Sequence, residues 1–198
     1  MNVPLFLGKS MLTIEAICEA VGDEYENGNL ESLKNCILEN IQAHIIPVGF
    51  SAEIESADMP CEVEDIKNVS VIGLSSQSID FENASFDDNL LAFTTQLTVQ
   101  VSAEIAVKAT QKMDKDVYIS HTTTHGYEGN VNINVSLSLR ISLDEDEDED
   151  SLDPIVDEVE LEDLKILTED IVLTLEYLDY GSLIDNGEDF WFGEDTNS

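Results

Sequence analysis

The chain has 198 residues and a formal net charge of −35, because 43 acidic residues stand against eight basic ones. Such a charge keeps a protein in solution and attracts cationic surfaces, but it opposes direct binding to nucleic acid or to anionic membranes. Hydrophobic residues still make up 42% of the sequence, a share that excludes a wholly disordered polypeptide. The acidic excess is greatest after residue 140, where 22 acidic residues accompany a single basic one, Lys165.

Apolar residues recur at steps of three and four in the first part of the chain, and this spacing predicts two helices. The first helix is predicted over 10–25, with Ser10 or Thr13 as its N-cap. The second is predicted over 30–45 and ends before Pro47. An Asn-Gly-Asn turn signal separates them, so the two helices are expected to form a helical hairpin.

From Val48 onward the period changes to two, which predicts strands. The clearest alternation covers 97–107 and 131–143, each with one apolar and one polar face, as is typical of an antiparallel sheet that covers a core. We expect Lys108–Gly129 to connect these two long strands and residues 86–90 to form a turn. Shorter alternating segments predict further strands, and they lie at 48–54, 69–71, 79–81, 156–167 and 171–177.

The predicted fold class is α+β, with the helical hairpin packed on a curved antiparallel β-sheet of about five to seven strands and an acidic loop before the last strands. Residues 1–180 are expected to form one compact domain. Its segments are the helical hairpin (1–47), the antiparallel sheet (48–143), the acidic loop (144–153) and the final strands with an acidic-aromatic tail (154–198).

Two acidic segments stand out near the C-terminus. Seven consecutive carboxylates over 144–150 cannot be packed and predict a solvated loop or linker. They lack the alternating acids and central glycine of an EF-hand, so no specific calcium site is predicted. The aromatic triplet Phe190-Trp191-Phe192 either folds back onto the core or anchors into a pocket of a partner protein, and the sequence leaves both alternatives open.

The histidines do not predict a metal site. His121 and His125 frame three threonines, which favour a strand or loop over a helix. Four residues along a strand span about 13 Å, too far for both imidazoles to bind one ion. No glutamate lies between them, so the helical zinc-protease pattern is missing. We therefore predict no metal, no cofactor and no catalytic residue.

Three of the eight basic residues, Lys108, Lys112 and Lys115, lie close together in sequence with Tyr118 nearby. A basic and aromatic loop can contact a phosphate backbone. The alternative is that these lysines offset the protein's own acids, such as the run at 144–150. The net charge favours the second interpretation.

Other sequence features limit the enzyme classes and the cellular compartment. The chain has neither a G-x-S-x-G elbow nor a glycine-rich phosphate loop. Cys18, Cys36 and Cys61 are odd in number and widely spaced, which is typical of reduced thiols in the cytoplasm. No apolar run approaches the roughly 20 residues of a membrane helix. We therefore expect a cytoplasmic protein that does not enter a membrane.

The order of elements between about Leu30 and Leu167 has a pattern that occurs in a known family. It comprises the helix that ends at Ile45, the acidic segment 62–66, the two long strands, and Glu160-Leu161-Glu162-Asp163-Leu164. This pattern resembles the acidic β-rich region that follows the nuclease domain in some uncharacterised bacterial PIN-domain proteins. The residues before the sheet are too few to hold a PIN nuclease. The resemblance therefore implies an accessory domain and carries over no catalytic residue.

The first functional hypothesis is a non-catalytic interaction protein that neutralises or scaffolds a basic protein partner. Antitoxins, immunity proteins and nucleic-acid-mimicking inhibitors work in this way, through electrostatic steering and apolar docking. The alternative is an adaptor or sensor module of a bacterial defence or toxin system, related to the PIN accessory region. It would use polar side chains of one strand, namely Asn132, Asn134, Ser136 and Ser138.

An enzyme that uses scattered acids is the third hypothesis, and the sequence leaves the oligomeric state open. The predicted partner-binding residues are acidic or aromatic and lie after residue 140. They are Asp144, Glu145, Asp146, Glu147, Asp148, Asp157, Glu158, Glu160, Glu162, Phe190, Trp191 and Phe192.

Overall fold

The structure is a computed structural model that describes residues 5–7, 10–45, 47–57, 59–115, 117–143 and 155–178. Within these ranges helices and antiparallel strands occur together, so the predicted α+β class is confirmed. The helices are α1 (Ile14–Glu26) and α2 (Glu31–His44). The strands are β1 (Leu5–Leu7), β2 (Ser10–Leu12), β3 (Gly49–Ala57), β4 (Cys61–Leu74), β5 (Glu82–Asp87), β6 (Leu90–Asp114), β7 (Val117–Leu143), β8 (Val156–Ile166) and β9 (Asp170–Leu178).

Helix α1 begins four residues later than the sequence predicts. Of the two predicted caps Thr13 is correct, since its hydroxyl accepts the backbone N–H of Ala16 at 3.1 Å. Ser10 lies instead in β2, which pairs antiparallel with β1. Strands of three residues are too short to show a period of two in sequence, so this pair was missed. The helix ends at a turn in which Gly28 adopts a φ of 79°, a value that favours glycine.

Five strands form the main sheet, in the order β4-β6-β7-β8 with β5 also paired to β6. Strands β3 and β9 form a separate two-stranded sheet. Asp88 and Asn89 connect β5 to β6 with φ angles of 47° and 62°. Two consecutive residues in the left-handed region are typical of the tight I′ turn, and the turn predicted at 86–90 is thereby confirmed.

The chain divides into two compact units. The described residues of the first unit come from 1–50, 69–102 and 128–171, and they include both helices. Helix α2 contacts β8, and α1 contacts β8 and β5. The fully buried side chains of this unit recur every three or four residues along the helices and every second residue along the strands. Among them are Ile17, Val21, Tyr25, Leu33, Ile37, Ile41, Leu97, Val99, Ile133, Val135, Leu137, Leu139 and Ile141.

The second unit comprises described residues within 51–68, 103–127 and 172–198. Its buried side chains are small or branched, and they come from β6, β7 and β9. They are Ala103, Ile105, Val107, Ala109, Thr123, Leu173, Leu175 and Leu178.

The inward faces predicted for the two long strands are confirmed, because every second residue from Leu97 to Val107 and from Val131 to Ile141 is buried. The connection predicted over Lys108–Gly129 is wrong. Strand β6 continues to Asp114 and β7 begins at Val117, so most of that segment is strand. In this segment the inward positions of β7 hold threonine, histidine and tyrosine instead of apolar residues. The sequence therefore lacks a hydrophobic period here, although its residues still favour strands.

Two shorter segments also differ from the sequence prediction. Strand β4 spans Cys61–Leu74 and is far longer than the predicted 69–71, with a φ of 53° at Asn68. Residues 79–81 lie outside any strand, although Ile79 is buried as its apolar character requires. Alternation of charged residues along β4 hides its strand character, since Glu62, Glu64 and Lys67 occupy outward positions.

Candidate functional site

The candidate partner-binding acids that the structure describes lie on β8, at the edge of the main sheet. Strand β8 pairs antiparallel with β7 from Val135↔Ile166 to Leu143↔Val156. The register shifts twice, so that Asp157 and Glu162 are extra residues on the β8 side. Each bulge places two adjacent acids, 157–158 or 162–163, where the partner strand has a single step.

These bulges concentrate carboxylates on the solvent side of the edge strand. Asp157, Glu158, Glu160 and Asp163 are all exposed. Among the residues that the structure describes, none of the four forms an ion pair or hydrogen bond through its carboxylate. Asp163 was not among the predicted binding residues. Its position faces Ser138 rather than the core, which only the register reveals.

Glu162 differs from its neighbours because it is neutralised. Its carboxylate accepts a charge-assisted hydrogen bond from Nε of Arg140, and both side chains are about half exposed. In the register Arg140 lies opposite Glu160, so the guanidinium reaches to the next acid along the bulged strand. Glu162 is therefore engaged within the protein, unlike the other three predicted acids of β8.

The remaining predicted binding residues lie outside the described ranges. This holds for Asp144, Glu145, Asp146, Glu147 and Asp148 of the acidic loop. It holds equally for Phe190, Trp191 and Phe192 of the tail.

The lysines of the second unit contact the protein's own acids and rings. Nζ of Lys108 lies 3.0 Å from Glu62 and 3.8 Å from Glu64, both on β4. The hydrogen bond to Glu62 raises the pKa of Lys108 above its ordinary value. Nζ of Lys112 lies 5.8 Å from the centre of the Tyr118 ring. The described partners of Lys108 are thus the acids of β4, whereas the run at 144–150 lies outside the described residues.

His121 and His125 lie on the inward side of β7 with Thr123 between them. His125 Nε2 is 2.9 Å from the Thr123 hydroxyl, and partial burial lowers the pKa of this imidazole. Over the part of the chain that the structure describes, no group of three His, Cys, Asp or Glu side chains comes close enough to hold a metal ion.

Two of the polar side chains proposed for the adaptor hypothesis, Asn132 and Asn134, bond to polar side chains of the neighbouring strand β6. The hydroxyl of Thr98 donates to Asn132 at 2.8 Å, and the amide of Gln96 donates to Asn134 at 3.4 Å. The backbone N–H of Asn134 donates to Thr168 at 2.8 Å. This polar face of β6 and β7 is therefore an internally bonded surface with few charges.

An open cleft of about 440 Å³ lies beside the end of α2. It is lined by His44, Pro47, Val48, Leu164, Lys165, Ile166, Thr168 and Glu169. Nδ1 of His44 is 2.8 Å from the carbonyl oxygen of Asn40, and the Thr168 hydroxyl accepts from Asn134. Two of its polar groups thus serve the local backbone, and the cleft does not indicate a reaction.

In the described ranges no helix is long and apolar enough to cross a membrane. Comparison with protein-family models, with curated proteins and with solved structures finds no match for this chain. The functional conclusion therefore depends on the fold and on the β8 surface.

Proposed function

We propose that the chain is a non-catalytic acidic interaction protein that binds a basic protein partner through the solvent side of β8. The observation that supports this proposal is the group of four exposed acids, Asp157, Glu158, Glu160 and Asp163, that no described basic residue neutralises. We name this group the β8 acidic surface. Carboxylates arranged in this way attract a cationic groove and raise the rate of association. They affect the rate of dissociation only through contacts at short range.

The distribution of basic residues distinguishes the acids of β4 from those of β8. Lys67 and Lys108 form ion pairs with acids of β4, and Arg140 pairs with Glu162. Nζ of Lys67 lies 3.0 Å from the Asp65 carboxylate, and this hydrogen bond lowers the pKa of Asp65. The β4 acids are thus partly neutralised within the protein, whereas the β8 acidic surface is left for an external cation.

Edge protection is the structural alternative to partner binding. Charges and bulges on an edge strand prevent it from pairing with another sheet, and β8 has both. The two bulges already protect this edge, yet β8 also exposes four acids over seven residues. The number of acids therefore favours a binding role in addition to edge protection.

The finer architecture that we propose for this role is a helical hairpin on a curved sheet, with the acidic loop 144–153 leading into β8. The loop acids would extend the β8 acidic surface, and the tail triplet Phe190–Phe192 would supply apolar anchoring. The role proposed is that of an antitoxin, immunity protein or nucleic-acid-mimicking inhibitor. The likeness to the accessory region of PIN-domain proteins remains a prediction from the sequence.

The polar face of β6 and β7 supports a second candidate function. Its side chains, such as Asn132 with Thr98, form a charge-poor surface in a strongly acidic protein. An adaptor of a defence or toxin system could dock there without electrostatic attraction. Binding at this face would depend little on salt, which separates it from binding at the β8 acidic surface.

The proposal predicts that reversing the β8 charges weakens salt-sensitive binding. We expect the chain, immobilised at about 50 mM salt, to retain a basic protein from its host that elutes as salt rises toward 500 mM. In the variant, Asp157, Glu158, Glu160 and Asp163 are changed to lysine. Its affinity for that protein should be lower by a factor of about ten or more. Affinity measured by surface plasmon resonance at several salt concentrations is the readout.

The matched control reverses exposed helical acids instead, through Glu15→Lys, Glu19→Lys and Glu31→Lys. It shifts the net charge by a similar amount and should retain most of the affinity. Equal loss in both variants would show that only net charge matters. Binding that neither variant weakens and that does not depend on salt would indicate docking at the polar face of β6 and β7.

A further inference from the structure

Strand β7 has an edge in the second unit that no described strand covers. Strand β6 pairs with one side of β7, and the pairing of β7 with β8 begins only at Val135. One side of the β7 backbone is therefore covered by no described strand between Val117 and Asn134, and Val117–Tyr127 is the part of this stretch that precedes the charged residue Glu128. We call this segment the β7 edge.

The direction of the backbone groups along the β7 edge follows from two contacts. The N–H of Thr110 donates to the carbonyl oxygen of Pro60 at 2.9 Å, so Thr110 points its backbone groups away from β7. The hydroxyls of Thr110 and Ser120 lie 3.0 Å apart across the two strands. Residues that face each other in an antiparallel pair point their N–H and C=O groups either both inward or both outward. Ser120 therefore points its groups to the open side, and so does every second residue of the β7 edge.

This edge lacks the protection that β4 and β8 have at the outer edges of the main sheet. Strand β8 carries bulges and acids, and β4 carries Glu62, Glu64 and Lys67. The β7 edge contains no Asp, Glu, Lys, Arg or Pro, although acids make up 43 of the 198 residues. Proteins protect exposed edges with charges, prolines or bulges, so a long uncharged edge is a pairing surface. Its threonines also favour strand pairing.

We propose that the β7 edge pairs antiparallel with the same edge of a second copy of the chain, about a two-fold axis at Thr122. The absence of charge between Val117 and Tyr127 makes this segment complementary to itself, while the acidic β4 and β8 edges repel their own copies. Glu128, directly after the segment, adds to the repulsion between two copies that salt must screen. In this register Tyr118 lies opposite Gly126 of the second copy, and Ser120 lies opposite Thr124 of the second copy. Thr122 faces its own counterpart, and threonine pairs of this kind stabilise antiparallel strands.

The fit of Tyr118 against Gly126 supports this register. The Tyr118 side chain is 61% exposed, and a Cβ placed on Gly126 would meet no atom within 4 Å. The space above Gly126 can therefore take the tyrosine ring of the second copy. An aromatic side chain over a cross-strand glycine stabilises a sheet edge by covering its bare backbone.

Dimerisation at this edge should strengthen as salt rises, because two chains of −35 repel each other until their charges are screened. We expect the dissociation constant, measured by sedimentation equilibrium, to fall about tenfold between about 50 and 500 mM salt. This dependence has the opposite sign to that of the proposed partner binding. The two proposals can therefore fail independently of each other.

Thr122→Pro tests the backbone pairing directly. The N–H of Thr122 points to the open side, so proline removes a donor to the second copy and spares the ladder with β6. We expect this variant to remain monomeric at high salt, with its fold checked by circular dichroism. Thr122→Val is the control, because it keeps the N–H and the branched side chain and loses only the hydroxyl that bonds Glu64. It should dimerise as the wild type does.

Cysteine cross-linking tests the register without relying on proline. In a background carrying Cys36→Ser, which removes the exposed native thiol, Thr122→Cys should give a disulfide-linked dimer under mild oxidation. Facing residues in a hydrogen-bonded pair are about 5.5 Å apart between Cα atoms, within disulfide range. Ser120→Cys should not cross-link, since its two copies would be about 13 Å apart. A wild-type chain that stays monomeric at about 500 mM salt, or equal cross-linking of both cysteine variants, overturns the proposal.

Discussion

Val135→Asp should destabilise the protein by about 4 kcal/mol or more, enough to unfold many domains of this size. Val135 is fully buried on β7, between β6 and β8, and its partner in the register is Ile166. A carboxylate at this position loses its hydration and finds an apolar surrounding. Chemical denaturation followed by circular dichroism gives the change in the free energy of unfolding.

Ser136→Asp is the matched control, one residue along the same strand. Ser136 points away from the core and lies opposite Lys165 on β8. A carboxylate there faces an ammonium group across the strands, so the free energy of unfolding should change by less than about 0.5 kcal/mol. Equal destabilisation by the two variants would contradict the assignment of inward and outward faces.

The penalty of Val135→Asp should also depend on pH in a defined direction. Burial raises the pKa of a carboxyl group, because the charged form is the one that loses hydration. As pH falls through the folded pKa, the buried group takes up a proton and the destabilisation relative to wild type should shrink. A penalty that stays constant from neutral to acidic pH would indicate a packing defect instead.

The parts of the fold that follow a simple period could be predicted from the sequence. Strand β6 was correctly assigned from Leu97 to Val107 because one side chain in two enters the core. Strand β8 shows why other parts could not be predicted in detail. Val159 and Leu164 are both buried although they are five residues apart, which no regular strand allows. The bulge at Glu162 adds the extra residue.

The sequence predicts that the candidate site is acidic, but it does not predict which of the acids are paired within the protein. The acidic character of β8 follows directly from the sequence around Glu160. The difference between Glu162, which Arg140 neutralises, and Asp163, which no described base neutralises, depends on a bulge and on a residue of the neighbouring strand. The β7 edge was missed because its residues lack a hydrophobic period, and an edge is a property of strand order, which local sequence does not encode.

Alkaline solution should destabilise the protein through Tyr25. This side chain of α1 is fully buried, and burial, with a smaller effect of the Glu31 charge, raises its pKa to about 12. Its hydroxyl is 3.5 Å from the carbonyl oxygen of Ser76, too long for a strong hydrogen bond, and Nζ of Lys34 lies 4.5 Å from the ring centre. The fold therefore favours the neutral phenol because the phenolate would lose its hydration.

The sign follows from comparing the two states. The unfolded tyrosine releases its proton near pH 10, whereas the folded one keeps it until about pH 12. Between these values the unfolded state is favoured by proton release, so the stability is complete below pH 10 and is lost progressively as pH rises. The loss should reach about 2 kcal/mol near pH 12.

Tyr25→Phe isolates this contribution, because phenylalanine keeps the packing and cannot ionise. Urea denaturation at pH 8 should show a small difference between wild type and variant, since the phenol makes only a long contact to Ser76. As pH rises toward 12, the variant should become the more stable of the two by about 2 kcal/mol. If wild type and Tyr25→Phe lose stability in parallel above pH 10, then Tyr25 ionises as easily in the fold as in the unfolded chain. In that case α1 does not bury this ring against the core in solution.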